Sequence, residues 1–184
     1  MSRAIQRGTD LAQALAQKIS GLQRETVDIS NVVMGIKCGA SDTTSGMASN
    51  CVIGYVADKL VDFGATVVFG ETTEFIGGEH ILAQRAVGGP EGPIGKKIYE
   101  IVERMENRAK TIGEDMRGGQ PTPGNIKGGL SSIEEKSLGA IVKSGHRPIQ
   151  GILEYPDMVT DQKGLWIKDA PGREPEILTG MAAT

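Results

Sequence analysis

Two adjoining stretches decide the fold, Val32-Val33-Met34-Gly35-Ile36 and Lys37-Cys38-Gly39-Ala40-Ser41-Asp42-Thr43-Thr44-Ser45-Gly46. The first is short, apolar and rich in β-branched residues, which is typical of a buried parallel strand. The second combines glycines with reactive side chains, as expected of the loop at that strand's carboxyl end. Open α/β sheets bind ligands at the carboxyl ends of their strands. The sequence therefore predicts an α/β fold with a site in this loop.

Strand and helix patterns alternate along the chain. Apolar strand patterns recur over residues 66–70, 149–153 and 165–167, and helical spacing is found over residues 9–24, 45–63, 79–86 and 96–110. We expect the first helix to pack on the sheet. The alternation predicts a single three-layer Rossmann-like domain over residues 1–184, with a mostly parallel sheet and helices on both faces. The segment near residues 88–95 is rich in Gly and Pro and is interpreted as a linker.

Composition excludes several classes of function. The net charge of the 184 residues is −3 and only 4% are aromatic, so neither a basic stripe nor a stacking platform for nucleic acid is present. No apolar run approaches the ~18 residues that span a bilayer, and no signal-peptide pattern is seen. A cytoplasmic protein without a membrane partner is expected. Cys38 and Cys51 lack CxxC spacing, which disfavours a disulfide scaffold or zinc site, and Cys51 is expected in the core.

Four side chains are the first candidates for chemistry. Lys37 and Cys38 precede a predicted helix amino terminus, where backbone amides and the helix dipole favour an anion such as a carboxylate substrate. Equally, Cys38 could be a small buried residue and Lys37 a solvated charge. Glu71 and Glu74 follow the second strand, and we expect their loop and the loop after the first strand to form one crevice. These two glutamates could bind a divalent cation or act as acid and base. The alternative is an acidic helix start that complements the dipole.

The remaining polar motifs are weaker. His80 is interpreted as a helix-surface residue and His146 as a turn residue, since neither has the spacing of a metal ligand. The glycines around Lys127 match neither GxxxxGK[ST] nor GxGxxG, which disfavours a nucleotide site and a nucleotide-dependent oxidoreductase. The loop over residues 121–129 is either a segment that closes over substrate or a long connection.

Five motifs follow one another from about Val32 onward. They are Gly35-Ile36-Lys37-Cys38-Gly39-Ala40-Ser41-Asp42, Gly70-Glu71-Thr72-Thr73-Glu74, Pro121-Thr122-Pro123-Gly124-Asn125, Gly128-Gly129-Leu130-Ser131-Ser132-Ile133-Glu134-Glu135-Lys136-Ser137-Leu138-Gly139 and Asp169-Ala170-Pro171-Gly172. Together and in this order they resemble the altronate/galactarate dehydratase family, which also includes the large subunit of sulfolactate sulfo-lyase.

The resemblance implies a lyase that removes water, or sulfite, from a hydroxy or sugar acid such as altronate, galactarate or sulfolactate after abstraction of the α proton. It implies a divalent metal, iron(II) or manganese(II), as cofactor. The catalytic residues so implied are Lys37, Cys38, Glu71 and Glu74, and the metal ligands are Cys38, Glu71 and Glu74. The implied substrate-binding residues are Ser41, Asp42, Ser45, Thr72, Asn125, Gly128 and Gly129.

Members of this family are longer than the present sequence. They carry a preceding α/β segment, further strands and a small β-rich domain or subunit, so the resemblance implies that this chain is a fragment with such a partner. A homo-oligomer is compatible with it. An alternative function is therefore an isolated structural or assembly fragment whose catalytic site is incomplete.

Overall fold

A parallel four-stranded sheet organises the chain in a computed structural model that describes residues 2–159 and 162–184. The strands are β1 (Val33–Ile36), β2 (Thr66–Phe69), β3 (Ile149–Leu153) and β4 (Gly164–Lys168). Their order is β1-β2-β4-β3, and each neighbouring pair is parallel. The predicted α/β class with a parallel sheet is thereby confirmed, while the finer three-layer Rossmann-like arrangement stays a prediction.

The helices of the described residues lie before, between and after the strands along the chain. They are α1 (Ser2–Ile19), α2 (Asn50–Asp62), α3 (Glu79–Arg85), α4 (Pro93–Thr111), α5 (Met116–Gly119), α6 (Pro123–Lys127), α7 (Ile133–Ile141) and α8 (Glu174–Ala182). The predicted helix over residues 45–63 is divided, because a π-helical turn at Ser45–Ser49 precedes α2. The predicted linker over residues 88–95 ends earlier than expected, since α4 begins at Pro93, a residue favoured in the first turn of a helix.

The larger part of the core lies on one face of the sheet, because alternate residues of a strand point to opposite faces. Val67 and Phe69 of β2 and Leu165 and Ile167 of β4 belong to this core. The buried apolar residues that the helices add to it are Ala57, Leu82, Ile98, Ile101, Val102, Ile133 and Ile141. Two central strands buried along their whole length therefore give the loops that follow them a firm base.

The opposite face carries a smaller apolar cluster of Val68, Leu153 and Trp166. Helix α8 approaches the sheet closely here. A Cβ atom at Gly70 would lie 2.9 Å from Ile177 Cδ1 and 2.9 Å from the Lys168 carbonyl oxygen. Only a glycine fits at this position without a shift of the backbone of the neighbouring strand.

Three expectations about burial are wrong. Helix α1 does not pack on the sheet; every residue of it is exposed, because periodicity reveals an apolar stripe but not what covers it. Strand β1 forms an edge of the sheet, and only Ile36 in it is buried. Cys51 is exposed rather than in the core, since it lies on the outer side of α2.

The four strands are parallel, so their carboxyl ends lie at one edge of the sheet. The segments that leave this edge include residues 37–42 after β1, residues 70–74 after β2 and residues 169–172 after β4. Among residues 2–159 and 162–184, no helix is long and apolar enough to cross a membrane.

Candidate active site

Glu71 has an unusual backbone conformation. Among the described residues it alone combines a side chain with a positive φ, at 69°, and its ψ is 64°. The left-handed conformation costs a residue with a Cβ atom roughly 1–2 kcal/mol, and such strain concentrates at functional sites. Glu71 is only 2% exposed. The fold thus tolerates backbone strain in order to bury a carboxylate at the carboxyl end of β2.

Three groups surround the Glu71 carboxylate. The backbone N–H of Cys38 donates to Oε2 at 2.7 Å, and Lys143 Nζ donates to the same oxygen at 2.9 Å. Lys37 Nζ lies 3.6 Å from Oε1. The expectation that the loops after β1 and β2 meet in one pocket is therefore confirmed.

Lys143 is a buried cation shared by two carboxylates. It is 1% exposed and lies on the short turn Val142–Ser144 that follows α7. Its ammonium group donates to Glu71 and also to Glu74. Burial alone would lower the pKa of Lys143, but the two carboxylates raise it above its ordinary value. Lys143 therefore remains an ammonium ion and binds the acidic pair together.

The same environment changes the acidity of the groups beside Lys143. Burial raises the pKa of Glu71, an effect that the charge of Glu74 reinforces and that Lys143 opposes without reversing it. Burial, followed by the charge of Glu74, raises the pKa of the Cys38 thiol. The Cys38 Sγ atom lies 3.1 Å from Ser41 Oγ. Glu71 is thus more basic than an ordinary carboxylate, whereas Cys38 is a protonated thiol at neutral pH.

Lys37 lies at the mouth of the site. Its Nζ atom is 2.7 Å from an oxygen of Glu174 in the first turn of α8. Burial lowers the pKa of Lys37, but the hydrogen bond with Glu174 and the charge of Glu71 raise it overall. A charged ammonium group cannot accept a proton, so this geometry favours the role of anion binding over that of a base.

The loop after β4 supports the Glu71 loop from behind. Thr72 donates its hydroxyl to Asp169 Oδ1 at 2.5 Å, and its N–H donates to the Ala170 carbonyl at 3.1 Å. Asp169 is in turn paired with Arg104. Thr72 is fully buried, so its hydroxyl fixes the loop, and the neighbouring Thr73 lines the cavity in front of Glu71.

The loop over residues 41–45 is closed by its own side chains. Asp42 Oδ1 accepts hydrogen bonds from the Ser45 N–H at 2.7 Å and from the Ser45 hydroxyl at 2.9 Å. Hydrogen bonds from Thr44 and Ser45 hold the pKa of Asp42 below its ordinary value. The carboxylate is therefore ionised at neutral pH and stabilises the start of the π-helical turn.

Residues 121–129 form the facing wall. Asn125 Nδ2 donates to the Ser41 carbonyl at 2.8 Å, and the Thr43 N–H donates to the Gly128 carbonyl at 3.0 Å. A Cβ atom at Gly129 would lie 2.4 Å from Thr43 Oγ1. The structure thus brings together the two loops that the sequence assigned to substrate binding.

Two cavities lie in front of Glu71 and Glu74, and together they form the acidic cleft. Their volumes are about 280 and 210 Å³, and both are lined by Glu71, Glu74, Lys136 and Gly172. A further cavity of about 280 Å³, the loop cavity, lies between residues 41–47 and α7 and is also lined by Lys136. The candidate site therefore combines buried acids, ammonium groups and a wall of hydroxyl-bearing residues.

Comparison with known proteins identifies the family of this chain. Residues 29–184 match the family model described as D-galactarate/altronate dehydratase, C-terminal. The chain belongs to this family. The match begins just before β1 and includes every strand and each loop of the candidate site.

Three curated relatives of this dehydratase family illustrate the similarity. The chain is 41% identical over 174 residues to (2R)-sulfolactate sulfo-lyase subunit beta of Chromohalobacter salexigens, covering 94% of the chain and 44% of the relative. It is 39% identical over 164 residues to galactarate dehydratase (L-threo-forming) of Escherichia coli, covering 89% and 30%. It is 32% identical over 176 residues to altronate dehydratase of Bacillus subtilis, covering 96% and 34%. The chain thus spans less than half the length of these relatives.

Among the described residues, the divalent metal implied by the dehydratase resemblance has no preformed set of ligands. Within residues 2–159 and 162–184, no group of three or more His, Cys, Asp or Glu side chains is placed to hold a metal ion. The Lys143 ammonium group contacts both Glu71 and Glu74, where a cation would otherwise bind. Iron(II) or manganese(II) held by Cys38, Glu71 and Glu74 stays a prediction.

Sequence reasoning missed two lysines of this site. Lys143 lies 72 positions from Glu71 along the chain, in the apolar run Ile141-Val142-Lys143-Ser144-Gly145. A lysine inside an apolar run is a usable signal, because a buried charge needs a partner of opposite sign. Lys136 follows two glutamates in the first turn of α7, where it resembles an ordinary surface residue.

Proposed function

We propose that this chain carries the acid–base centre of a lyase that eliminates water, or sulfite, from a hydroxy or sugar acid of the altronate, galactarate or sulfolactate type. The observation that carries the proposal is Glu71, a strained and buried carboxylate that lines the acidic cleft. Its raised pKa makes it a stronger base than an exposed glutamate. The names of the family and its relatives supply the reaction class.

In the proposed reaction, Glu71 removes the proton from the carbon next to the substrate carboxylate. The electron pair of that C–H bond forms a carbon–carbon double bond as the bond from the β carbon to its hydroxyl, or to sulfite, breaks. A departing hydroxide takes up the proton that Glu71 has removed and leaves as water, whereas sulfite leaves as the anion. The resulting enol of a 2-hydroxy acid then becomes a 2-oxo acid by moving one proton from oxygen to carbon.

The charges around Glu71 suit this step. Lys143 keeps the carboxylate ionised near neutral pH, while burial keeps it basic. Negative charge develops on the substrate carboxylate as the α proton leaves, and a fixed cation stabilises such charge. Lys37, 3.6 Å from Glu71, is one such cation. The hydroxyl groups of Ser41 and Ser45 are proposed to bind the substrate hydroxyls.

A second candidate function is a catalytically incomplete assembly module. It is favoured by apolar side chains that are exposed to solvent, each by more than half. Among them are Leu15 and Ile19 of α1, Val52 and Tyr55 of α2, and Phe63, which directly follows α2. The relative named subunit beta suggests assembly with another subunit. We propose that a small β-rich subunit or domain is required for activity.

Turnover distinguishes the two candidate functions. The chain is incubated with altronate, galactarate and sulfolactate, with and without the small subunit and with iron(II) or manganese(II), and the 2-oxo acid or sulfite is measured. Glu71→Gln should lower turnover at least ~100-fold, the size expected for a lost catalytic base. Glu103→Gln on the exposed side of α4 is the matched control and should leave turnover unchanged.

A loss of less than threefold in Glu71→Gln removes Glu71 from the mechanism. If the wild-type chain gives no product in any of these mixtures, the assembly module is the better description. Turnover that depends on the small subunit supports both the lyase chemistry and the proposed partner.

A further inference from the structure

Lys136 occupies a distinctive place among the lysines of the candidate site. It lies in the middle of α7 and lines both cavities of the acidic cleft as well as the loop cavity. It takes no part in the proposed acid–base step. Its position at the border of the three cavities means that a molecule extending from one cavity into another passes its ammonium group.

The partners of Lys136 differ from those of the other two lysines. Lys37 is paired with Glu174, and Lys143 is paired with Glu71 and Glu74. Lys136 Nζ instead donates to two neutral amide oxygens, Gln120 Oε1 at 2.8 Å and Asn125 Oδ1 at 3.3 Å. These amides orient the ammonium group without neutralising its charge. An ammonium group has three donors, so it can also bind an incoming anion.

We propose that Lys136 binds the carboxylate of the substrate and thereby fixes the direction in which the acid lies. This inference rests on the proposed lyase function. With the carboxylate at Lys136, the adjacent α carbon faces Glu71 in the acidic cleft. The hydroxylated remainder of the acid extends into the loop cavity, which is lined by Ser41, Asp42 and Ser45.

This orientation has a chemical reason. The proton that Glu71 removes is on the carbon next to the carboxylate, so the carboxylate must be held within one bond of the reacting carbon. Lys136 and Glu71 line the same two cavities, whereas Ser45 lines only the loop cavity among the three. An acid with a single carboxylate, such as altronate, bound in the opposite direction would place its hydroxyl groups, and not its α proton, before the base.

The test measures binding by isothermal titration calorimetry with the 184-residue chain. The two ligands are galactarate and galactitol, which have the same six-carbon skeleton with and without carboxylates. The protein variants are Lys136→Gln, Lys136→Arg and, as matched control, Lys110→Gln, an exposed lysine of α4 outside the loops of the candidate site. Thermal unfolding of each variant verifies that it is folded.

Lys136→Gln should weaken galactarate binding by about ten- to hundredfold, the value of a hydrogen bond between charged groups. Lys136→Arg retains the charge and should restore most of the affinity, whereas Lys110→Gln should change it less than twofold. Binding of galactitol should be equally weak in all four proteins. If Lys136 had only a structural role, its substitution would change the affinities for both ligands alike. The charge retained in Lys136→Arg would then not restore the affinity for galactarate.

The proposal is overturned if Lys136→Gln binds galactarate within threefold of the wild type, if galactitol loses as much affinity as galactarate, or if wild-type chain binds both ligands equally. If Lys136→Gln fails to fold, the affinities for galactarate and galactitol are compared in the wild type and in Lys136→Arg. Equal affinities for the two ligands in these proteins would overturn the proposal. Failure of the lyase proposal looks different, because Glu71→Gln would then leave turnover unchanged while galactarate binding still depended on Lys136.

Discussion

Removal of the Lys143 ammonium group tests the electrostatic centre of the site. Lys143→Met keeps a long apolar stem but leaves Glu71 and Glu74, 2% and 6% exposed, without the cation between them. Breaking a buried ion pair by deleting one partner costs roughly 3–5 kcal/mol. Two buried carboxylates without a cation cannot both stay ionised, so we expect the folded variant to take up one proton.

The size of the loss follows from that proton. Keeping a glutamate of ordinary pKa near 4.3 protonated costs about 1.4 kcal/mol for each pH unit above that value. The expected loss of unfolding free energy is therefore about 4 kcal/mol at pH 7 and about 1 kcal/mol at pH 5. The sign is fixed, because the folded variant binds more protons than the unfolded chain and so loses stability as pH rises.

Urea unfolding followed by the fluorescence of Trp166, the single tryptophan, measures this loss at both pH values. Lys110→Met, on the exposed side of α4, is the control and should change the unfolding free energy by less than about 0.5 kcal/mol. Adding Glu71→Gln and Glu74→Gln to Lys143→Met should recover most of the stability at pH 7. A loss of the same size at pH 7 and pH 5 would refute the reasoning.

Three further sets of substitutions test the structure around the site through the free energy of unfolding, measured by chemical denaturation. Glu71→Gly should be more stable than Glu71→Ala by roughly 0.5–1 kcal/mol, because both lack the carboxylate but only glycine tolerates the left-handed backbone; equal stabilities would contradict the strain at this residue. Gly54→Ala would place its Cβ atom 2.3 Å from the Val142 carbonyl oxygen and should destabilise by about 1–3 kcal/mol, whereas Gly8→Ala in the open helix α1 should not. Burial raises the pKa of Asp58, but hydrogen bonds from His146 and Arg147 lower it overall. Stability lost in Asp58→Asn should therefore be largest above the ordinary aspartate pKa and fade as pH falls through the lowered value; a constant loss would exclude the charge as its cause.

The sequence predicted those parts of the site that are close together along the chain. Val32–Ile36 and Thr66–Gly70 carry local strand patterns, and parallel strands place the loops that follow them side by side. That reasoning correctly joined Cys38 to Glu71. It also located all four strands to within one or two residues.

The features that sequence reasoning missed depend on contacts between segments that are distant along the chain. Lys143 reaches Glu71 only because α7 packs beside the loop after β2, and no periodic pattern encodes that approach. The exposure of α1 was missed for the same reason, since an amphipathic pattern is identical whether its partner is the sheet or another protein. The left-handed backbone of Glu71 was also invisible, because glutamate carries no propensity for it.

The donor that Cys38 offers to Glu71 belongs to the main chain and not to the thiol. This hydrogen bond therefore does not depend on which side chain stands at position 38. Only proline, which has no backbone N–H, would abolish it. Comparing sequences column by column would miss such a contribution. A variable residue at this position in distant homologues is thus compatible with an unchanged hydrogen bond to the Glu71 carboxylate.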